Sequence, residues 1–483
     1  MENKELKTKV LSGLVWTFAE RILAQGVSFI ISIIIARLLV PEAYGTVTMV
    51  TVFINIANVF VSNGLGEALV QKKDATETDF STMFYCSLTL AISIYSILFI
   101  GAPYIARFYN NDLLVSILRV LALKLPISAI STIQHAYVSK HMIFKKFFFS
   151  TLGGTLVSGI VGAVMAYCGF GVWALVAQYL TNTTIDTVVL FITVPWRPRL
   201  KFSGKSAYTL GKYGFQLMLT SLIQEIYTQL RSLVIGKVYS ASDLAFYNKG
   251  NNFPSLIITN VDTSIGKVVF PAMSQSKDDL NRLKAVSRRA MKTTSYIIFP
   301  LMAGLFVVAR PLIMLLLTDK WMGCVPFLQI ACIFFALIPV QSTNWQIIKA
   351  IGRSDICLKL EIIKKIIGVI VILATMKISV IAVAVSASVV TFISMLINIS
   401  PNKKLINYSL TEQAVDLLPT LLASVVMACV IYPLGNVITS DILLIALQII
   451  CGGLIYIGIS VVFKIDSFEY LFDTVKRIIK REC

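Results

Sequence analysis

The chain has 483 residues, of which 57% are hydrophobic and 14% charged, with a formal net charge of +18 at pH 7. A soluble domain carries roughly 25% charge, so this composition excludes an ordinary soluble enzyme. The basic excess does not mark a nucleic-acid binder, because it follows the membrane rhythm described below.

Apolar windows long enough to cross about 30 Å of hydrocarbon recur from end to end. They lie near 11–36, 45–64, 80–103, 113–137, 148–168, 172–194, 209–236, 245–272, 293–317, 324–348, 356–376, 378–399, 415–436 and 442–463. None alternates with the two-residue period of a membrane β-strand. The prediction is an all-α polytopic membrane protein with about 14 transmembrane helices. The first window follows a basic amino terminus, but it runs to Arg37 without a small-residue cleavage site and reads as a retained span.

Lys4, Lys7 and Lys9, then Lys140, Lys145, Lys146, Arg197, Arg199, Lys201 and Lys205, and finally Lys476, Arg477, Lys480 and Arg481 fall on one side of this alternation. The opposite loops hold Arg37, Arg107, Lys237, Lys320 and Lys377. By the positive-inside rule both termini are expected in the cytoplasm. The cysteines are scattered with no CxxC pair, as small apolar residues would be, and no metal or cofactor is expected.

The second span contradicts its own hydrophobicity. Thr48, Thr51, Asn55, Asn58 and Ser62 step by +3, +4, +3 and +4 and fall on one helix face. Unpaired amides in hydrocarbon cost several kcal/mol, so this face must line something other than lipid. Shifted by 200 residues, Thr48 falls on Asn248, Thr51 on Asn251, Asn55 on Ser255 and Ser62 on Asp262. In the eighth span Asn248, Asn252, Ser255, Thr259 and Asp262 form the matching stripe. Farther on, a shift of 213 pairs Pro126 with Pro339 and Lys140 with Arg353. The repeat unit is six spans, and an even number gives parallel repeats about an axis normal to the membrane. The expected organisation is an N-terminal lobe over 1–200, a C-terminal lobe over 201–405, and two extra helices with a basic tail over 406–483. The two lobes would face each other across a cleft.

Intramembrane charges usually face a cavity or pair with one another. The first span carries Glu20 and Arg21, with Arg21, Gln25, Ser28 and Ser32 in line; the seventh carries Glu225 and Arg231. The fourth holds Arg119 and Lys124. With Asn55, Asn58, Asn251, Asn252 and Asp262, these form the candidate cavity lining. Cations suit a diphosphate and amides suit sugar hydroxyls. The alternative is structural pairing, such as Glu20 with Arg231. Asp186 is a candidate ion-coupling carboxylate, though hydrogen bonds to neighbouring threonines account for it equally. His135 and His141, near Lys140, Lys145 and Lys146, are expected to meet anionic lipid headgroups.

The segments ARLLVPEAYGTVTMV, GLGEALVQKKD, FYNKGNNFPS…VVFPAMSQSKDD and DKWMGCVPFLQI…IIKAIGRSD resemble bacterial polysaccharide flippases of the MOP superfamily over residues 10 to 400. The resemblance implies a fold like that of MATE multidrug exporters. It also implies a substrate, an undecaprenyl-diphosphate-linked oligosaccharide moved from the cytoplasmic to the periplasmic leaflet of a bacterial inner membrane. A coupling H+ or Na+ and polymerase or glycosyltransferase partners would fit that role. Two alternatives are a cation-coupled multidrug exporter, whose cavity walls should be acidic, and a membrane-embedded glycan polymerase, which should carry a large outer loop. There is no GxxxxGK[ST] nucleotide loop and no extramembrane stretch long enough for a catalytic domain, so a non-enzyme is expected.

Overall fold

The computed structural model describes Trp16 and residues 22–479, without the side chains of 261–265, 267, 268, 475 and 477–479. Glu20 and Arg21, Lys4, Lys7, Lys9, Lys480 and Arg481, and the side chains of Asp262 and Arg477 therefore lie outside the described residues. What is described is helical, with no strand among it. The all-α polytopic class expected from the hydropathy pattern is the one observed.

The chain forms two compact units, Met1–Ala245 and Phe246–Cys483. The first contains α1 (Ile22–Leu38), α2 (Pro41–Ser62), α3 (Leu65–Gln71), α4 (Glu77–Tyr109), α5 (Leu113–Leu121), α6 (Lys124–His141), α7 (Lys145–Tyr167), α8 (Val172–Thr193) and α9 (Gly204–Val238). The boundary falls in α10 (Ala241–Gln275). The second unit continues with α11 (Leu280–Leu317), α12 (Cys324–Ala336), α13 (Ile338–Ala350), α14 (Ser354–Thr375), α15 (Val380–Ile406), α16 (Leu410–Ile431), α17 (Asp441–Val462) and α18 (Asp466–Ile479).

Among the described residues, ten helices or tandem helix pairs are long and apolar enough to cross a membrane. The windows at 209–236, 245–272 and 356–376 coincide with α9, α10 and α14, whose polar side chains hold them below that measure. The window at 113–137 is two helices, α5 and α6, and the window at 324–348 is α12 and α13. Both breaks sit just before a proline, Pro126 and Pro339, the pair matched by the shift of 213. Proline offers no N–H and clashes with the preceding turn, so the helix must restart there.

Within the first unit, α2 is the most buried span and packs on α4, α5, α6, α8 and α9. Its contact with the first residue of α10 is tight, since a Cβ on Gly45 would collide with the backbone carbonyl of Ala241. At the other end Gly64, with φ +95°, lies backbone to backbone with Gly214 of α9. A capping box starts α4: Asp79 Oδ2 accepts from the Thr76 backbone N–H at 2.8 Å and from Lys72 Nζ at 2.7 Å.

Lysines near helix ends close neighbouring helices. Lys140 donates to the carbonyls of Leu69 and Lys72 past the end of α3, and Lys146 to that of Thr193, the last residue of α8. Lys237 donates to Phe108 near the end of α4, and Lys284 to Asn407, the C-cap of α15. The last carbonyls of a helix lack intrahelical partners and carry the negative end of the dipole, so a cation satisfies both needs.

In the second unit, α11 is the hub against which α12, α13, α16, α17 and α18 pack. Asp416, almost fully buried, receives Arg288 Nε and Nη2 at 2.8 and 2.6 Å and Tyr408 Oη at 2.8 Å, with Lys292 Nζ at 3.3 Å. Behind it lies a buried amide network. Asn344 and Gln413 exchange two hydrogen bonds, 2.9 and 3.0 Å, and Asn402 Nδ2 donates to Asn344 Oδ1 at 2.7 Å.

Candidate functional site

Polar side chains line two cavities inside the first unit. A chamber of about 460 Å³ is lined by Ser62, Lys124, Ser128, Ser131, Thr132, His135, Thr151, Asn182, Thr183 and Asp186. A smaller one of about 150 Å³ is lined by Thr51, Ile54, Asn55, Leu121, Lys124 and Tyr179. Lys124 belongs to both walls. The larger space far exceeds the ~15 Å³ a water molecule needs, and its polar wall would keep water in it.

Four helices build this wall through their periodicity. On α2, Thr51, Asn55 and Ser62 lie on the predicted stripe. On α6, Lys124, Ser128, Ser131 and His135 step by +4, +3 and +4 and form one face. On α8, Tyr179, Asn182, Thr183 and Asp186, at steps of +3, +1 and +3, also share a face, and α7 adds Thr151. His135 Nε2 meets Asp186 Oδ2 at 3.3 Å, and its ring stacks on Phe147 of α7 at 4.8 Å between centroids. The His135 side chain is 42% exposed and that of Asp186 21%, so the pair is accessible. No carboxylate among the described residues lies within ion-pair distance of Lys124. No cluster of His, Cys, Asp and Glu that could hold a metal occurs among them either.

Several hydroxyls of the wall are engaged. Those of Ser131 and Thr132 donate to the Ser128 carbonyl at 3.0 and 2.8 Å, and that of Thr183 to Tyr179 at 3.2 Å. Asn182 Nδ2 donates to Ser158 Oγ at 3.4 Å.

Of the residues singled out in the sequence, the structure brings together Asn55 and Lys124 at the smaller chamber. Asn58 sits on the same helix with its Oδ1 buried and unpartnered. Arg119 goes elsewhere: its Nε donates to the Phe99 carbonyl at 3.2 Å and its guanidinium lies over the Phe99 ring. On α9, Glu225 Oε1 accepts from Gln229 Nε2 at 2.7 Å, and Arg231 keeps Nε buried without a hydrogen-bond partner. In the second unit Asn251 Nδ2 donates to Tyr247 at 2.7 Å, and Asn252 is exposed.

His135 is a correction. Instead of turning to headgroups it turns into the unit and pairs with Asp186, because α8 crosses α6 at that level. The stripe on α6 went unread in the sequence, although the spacing test applied to the second span would have found it.

The larger cavities of the second unit are of another kind. One of about 490 Å³ is walled by Phe299, Met302, Phe306, Phe392, Leu421 and other hydrocarbon side chains. The shift of 213 that pairs the two prolines carries Ser131 onto Asn344, in the closed amide network.

A family described as polysaccharide biosynthesis protein matches residues 34–326. The lipopolysaccharide biosynthesis protein WzxC of Escherichia coli K12 is 24% identical over 366 residues, 74% of this chain and 73% of that protein. The succinoglycan biosynthesis transport protein ExoT of Rhizobium meliloti is 24% identical over 342 residues, 71% and 69% of the two chains. In fold, the chain is similar to the lipid II flippase MurJ in an inward closed conformation, with TM-score 0.76, 17% identity and coverage of 94% and 99%. An inward-facing MATE multidrug transporter of the MOP superfamily follows at TM-score 0.63, 12% identity and coverage of 80% and 98%. With more than half of its length matched in family sequence and nearly all of it in fold, the chain belongs to the polysaccharide biosynthesis protein family, built on the MOP transporter fold.

Proposed function

We propose that the protein translocates an undecaprenyl-diphosphate-linked oligosaccharide from the cytoplasmic to the periplasmic leaflet of a bacterial inner membrane, for surface polysaccharide assembly. The family, the transport relative ExoT and the fold of a lipid II flippase support this reading. The observation that carries it is Arg231. This intramembrane guanidinium has its Nε buried and unpartnered, and no carboxylate among the described residues lies within ion-pair distance. Such a cation suits a diphosphate, which a planar fork of donors binds through two oxygens.

In this reading both termini are cytoplasmic, two lobes alternate access around a cationic cleft, and an H+ or Na+ gradient drives the cycle. Arg21, Glu20, Glu225, Asn251, Asn252 and Asp262 are proposed to line that cleft with Arg231. A multidrug exporter of the same fold would need acid-dominated walls to hold cationic drugs. The protein is a carrier in this account, not an enzyme.

The test is reconstitution in liposomes with a fluorescent polyprenyl-diphosphate oligosaccharide, followed by accessibility of the sugar to an impermeant reagent. Wild type should equilibrate the probe across the bilayer. Arg231→Ala should abolish this at normal protein yield, and Arg231→Lys should keep part of it. No movement of the probe by the wild type would overturn the proposal.

A further inference from the structure

Along one face of α6, Lys124, Ser128, Ser131 and His135 span twelve residues, about 16 Å of helix at 1.5 Å per residue from first to last. That is roughly half of a ~30 Å hydrocarbon layer. At one end stands the partly exposed His135–Asp186 pair, toward the C-terminal end of α6, which is cytoplasmic in the proposed topology. At the other stands Lys124, with no carboxylate partner among the described residues. Between them the chamber is walled by hydroxyls and one amide. The result is a polar path that enters the unit from one side and ends at a lysine.

Lysine can take up and release a proton, which arginine cannot do. The chamber is walled by four helices and holds about 460 Å³, room for water, and a proton travels along water and hydroxyls. The titratable groups facing the two chambers are Lys124 and His135 on α6 and Tyr179 and Asp186 on α8; α2 and α7 bring Thr51, Asn55, Ser62 and Thr151, and α5 brings Leu121.

From this we infer that the first unit contains a proton half-channel, with His135 and Asp186 as its mouth and the Lys124 amine as the group that is protonated and deprotonated during transport. Uptake forms an N–H bond on the neutral amine. The proton comes from solvent, is received at the His135 ring or the Asp186 carboxylate, and is handed inward along the hydroxyl-lined water. Release breaks the same bond and returns the proton to water. This assigns Lys124 to the driving ion and leaves the substrate's anion to the cations elsewhere. It rests on the flippase reading for what the proton drives.

The full chain, reconstituted in liposomes with an internal pH dye, separates the possibilities when proton movement and probe translocation are read together. Wild type should move protons when the lipid-linked probe is supplied, and a pH gradient should accelerate the probe. Lys124→Met and Lys124→Arg should both lose proton movement, at unchanged elution and thermal stability in detergent. Lys124→His should keep it with an optimum moved toward acid. Full proton coupling in Lys124→Arg would overturn the inference, since that side chain stays charged. Should the Lys124 variants not fold, the mouth provides the second reading: His135→Ala should slow proton movement and added imidazole should restore it, whereas unchanged movement would overturn the path. Probe translocation by wild type without any proton flux would remove the half-channel and leave the flippase. Lys124-dependent proton exchange without probe translocation would do the reverse.

Discussion

Three charged residues of the helices meet three different solutions. Asp79 is neutralised by Lys72 and absorbed into a helix cap. Asp416 is surrounded by Arg288, Lys292 and Tyr408. Lys124 stands in the walls of two cavities that also carry hydroxyls, Asn55, Asn182, His135 and Asp186, with no carboxylate within ion-pair distance among the described residues. The first two are structural by this criterion, because each charge is met by an opposite one at hydrogen-bond distance. Removing one partner of a buried pair leaves the other uncompensated. Arg288 is 40% exposed and so partly screened, and Asp416→Ala should cost about 2–4 kcal/mol, within or below the range for fully buried pairs. A marked fall in the detergent melting temperature, with transport per folded molecule unchanged, is the expected result; an unaltered melting temperature would remove the structural role.

Helix contacts here are set by glycine where backbones touch and by lysine where helices end. Membrane helices gain no hydrophobic drive from associating in lipid, so close approach of small residues carries much of the packing. Gly45 lies where a Cβ would overlap the Ala241 carbonyl, and Gly64 combines φ +95° with contact to the Gly214 backbone. Gly45→Ala and Gly64→Ala should each reduce folded protein in the membrane severalfold. Gly153 in α7 has open space about its Cα and supplies the control: Gly153→Ala should hold or raise stability by roughly 0.5–1 kcal/mol. Normal abundance of Gly64→Ala would show that α9 can retreat from the contact. The broken pairs α5–α6 and α12–α13 belong to this scale too, for a proline at the same repeat position restarts the helix in both halves.

For the molecule as a whole, the alternation of charge and the six-span repeat make one checkable demand. Single cysteines introduced beside Lys145 and Lys284 in a cysteine-free background should resist an impermeant maleimide in intact spheroplasts and react after permeabilisation. Cysteines beside Arg107 and Lys320 should react from outside. Labelling from outside at Lys145 or Lys284 would sink the proposed orientation. The repeat does not extend to the site: one unit has a polar chamber, while the matching position in the other is closed by Asn344, Asn402 and Gln413. The partner that closes it, Gln413, comes from α16, beyond the predicted six-span repeat.

The all-helical membrane class and the places of the helices were legible in the sequence, because burial in lipid demands long apolar windows and internally paired backbones. The stripe on α2 was legible for the same kind of reason: helical spacing alone puts Thr51, Asn55 and Ser62 on one face. Lys124 could be named as an intramembrane charge, but its neighbours could not. Which carboxylate meets His135 depends on where α8 crosses α6, and whether Arg119 reaches a cavity or the Phe99 carbonyl depends on the packing of α4 against α5. Those contacts join positions 51 and 20 residues apart in the chain, and spacing along a single helix carries no information about them. Only the packed helices determined that one lysine would stand at the end of a polar path while its neighbour five residues earlier was spent on a carbonyl.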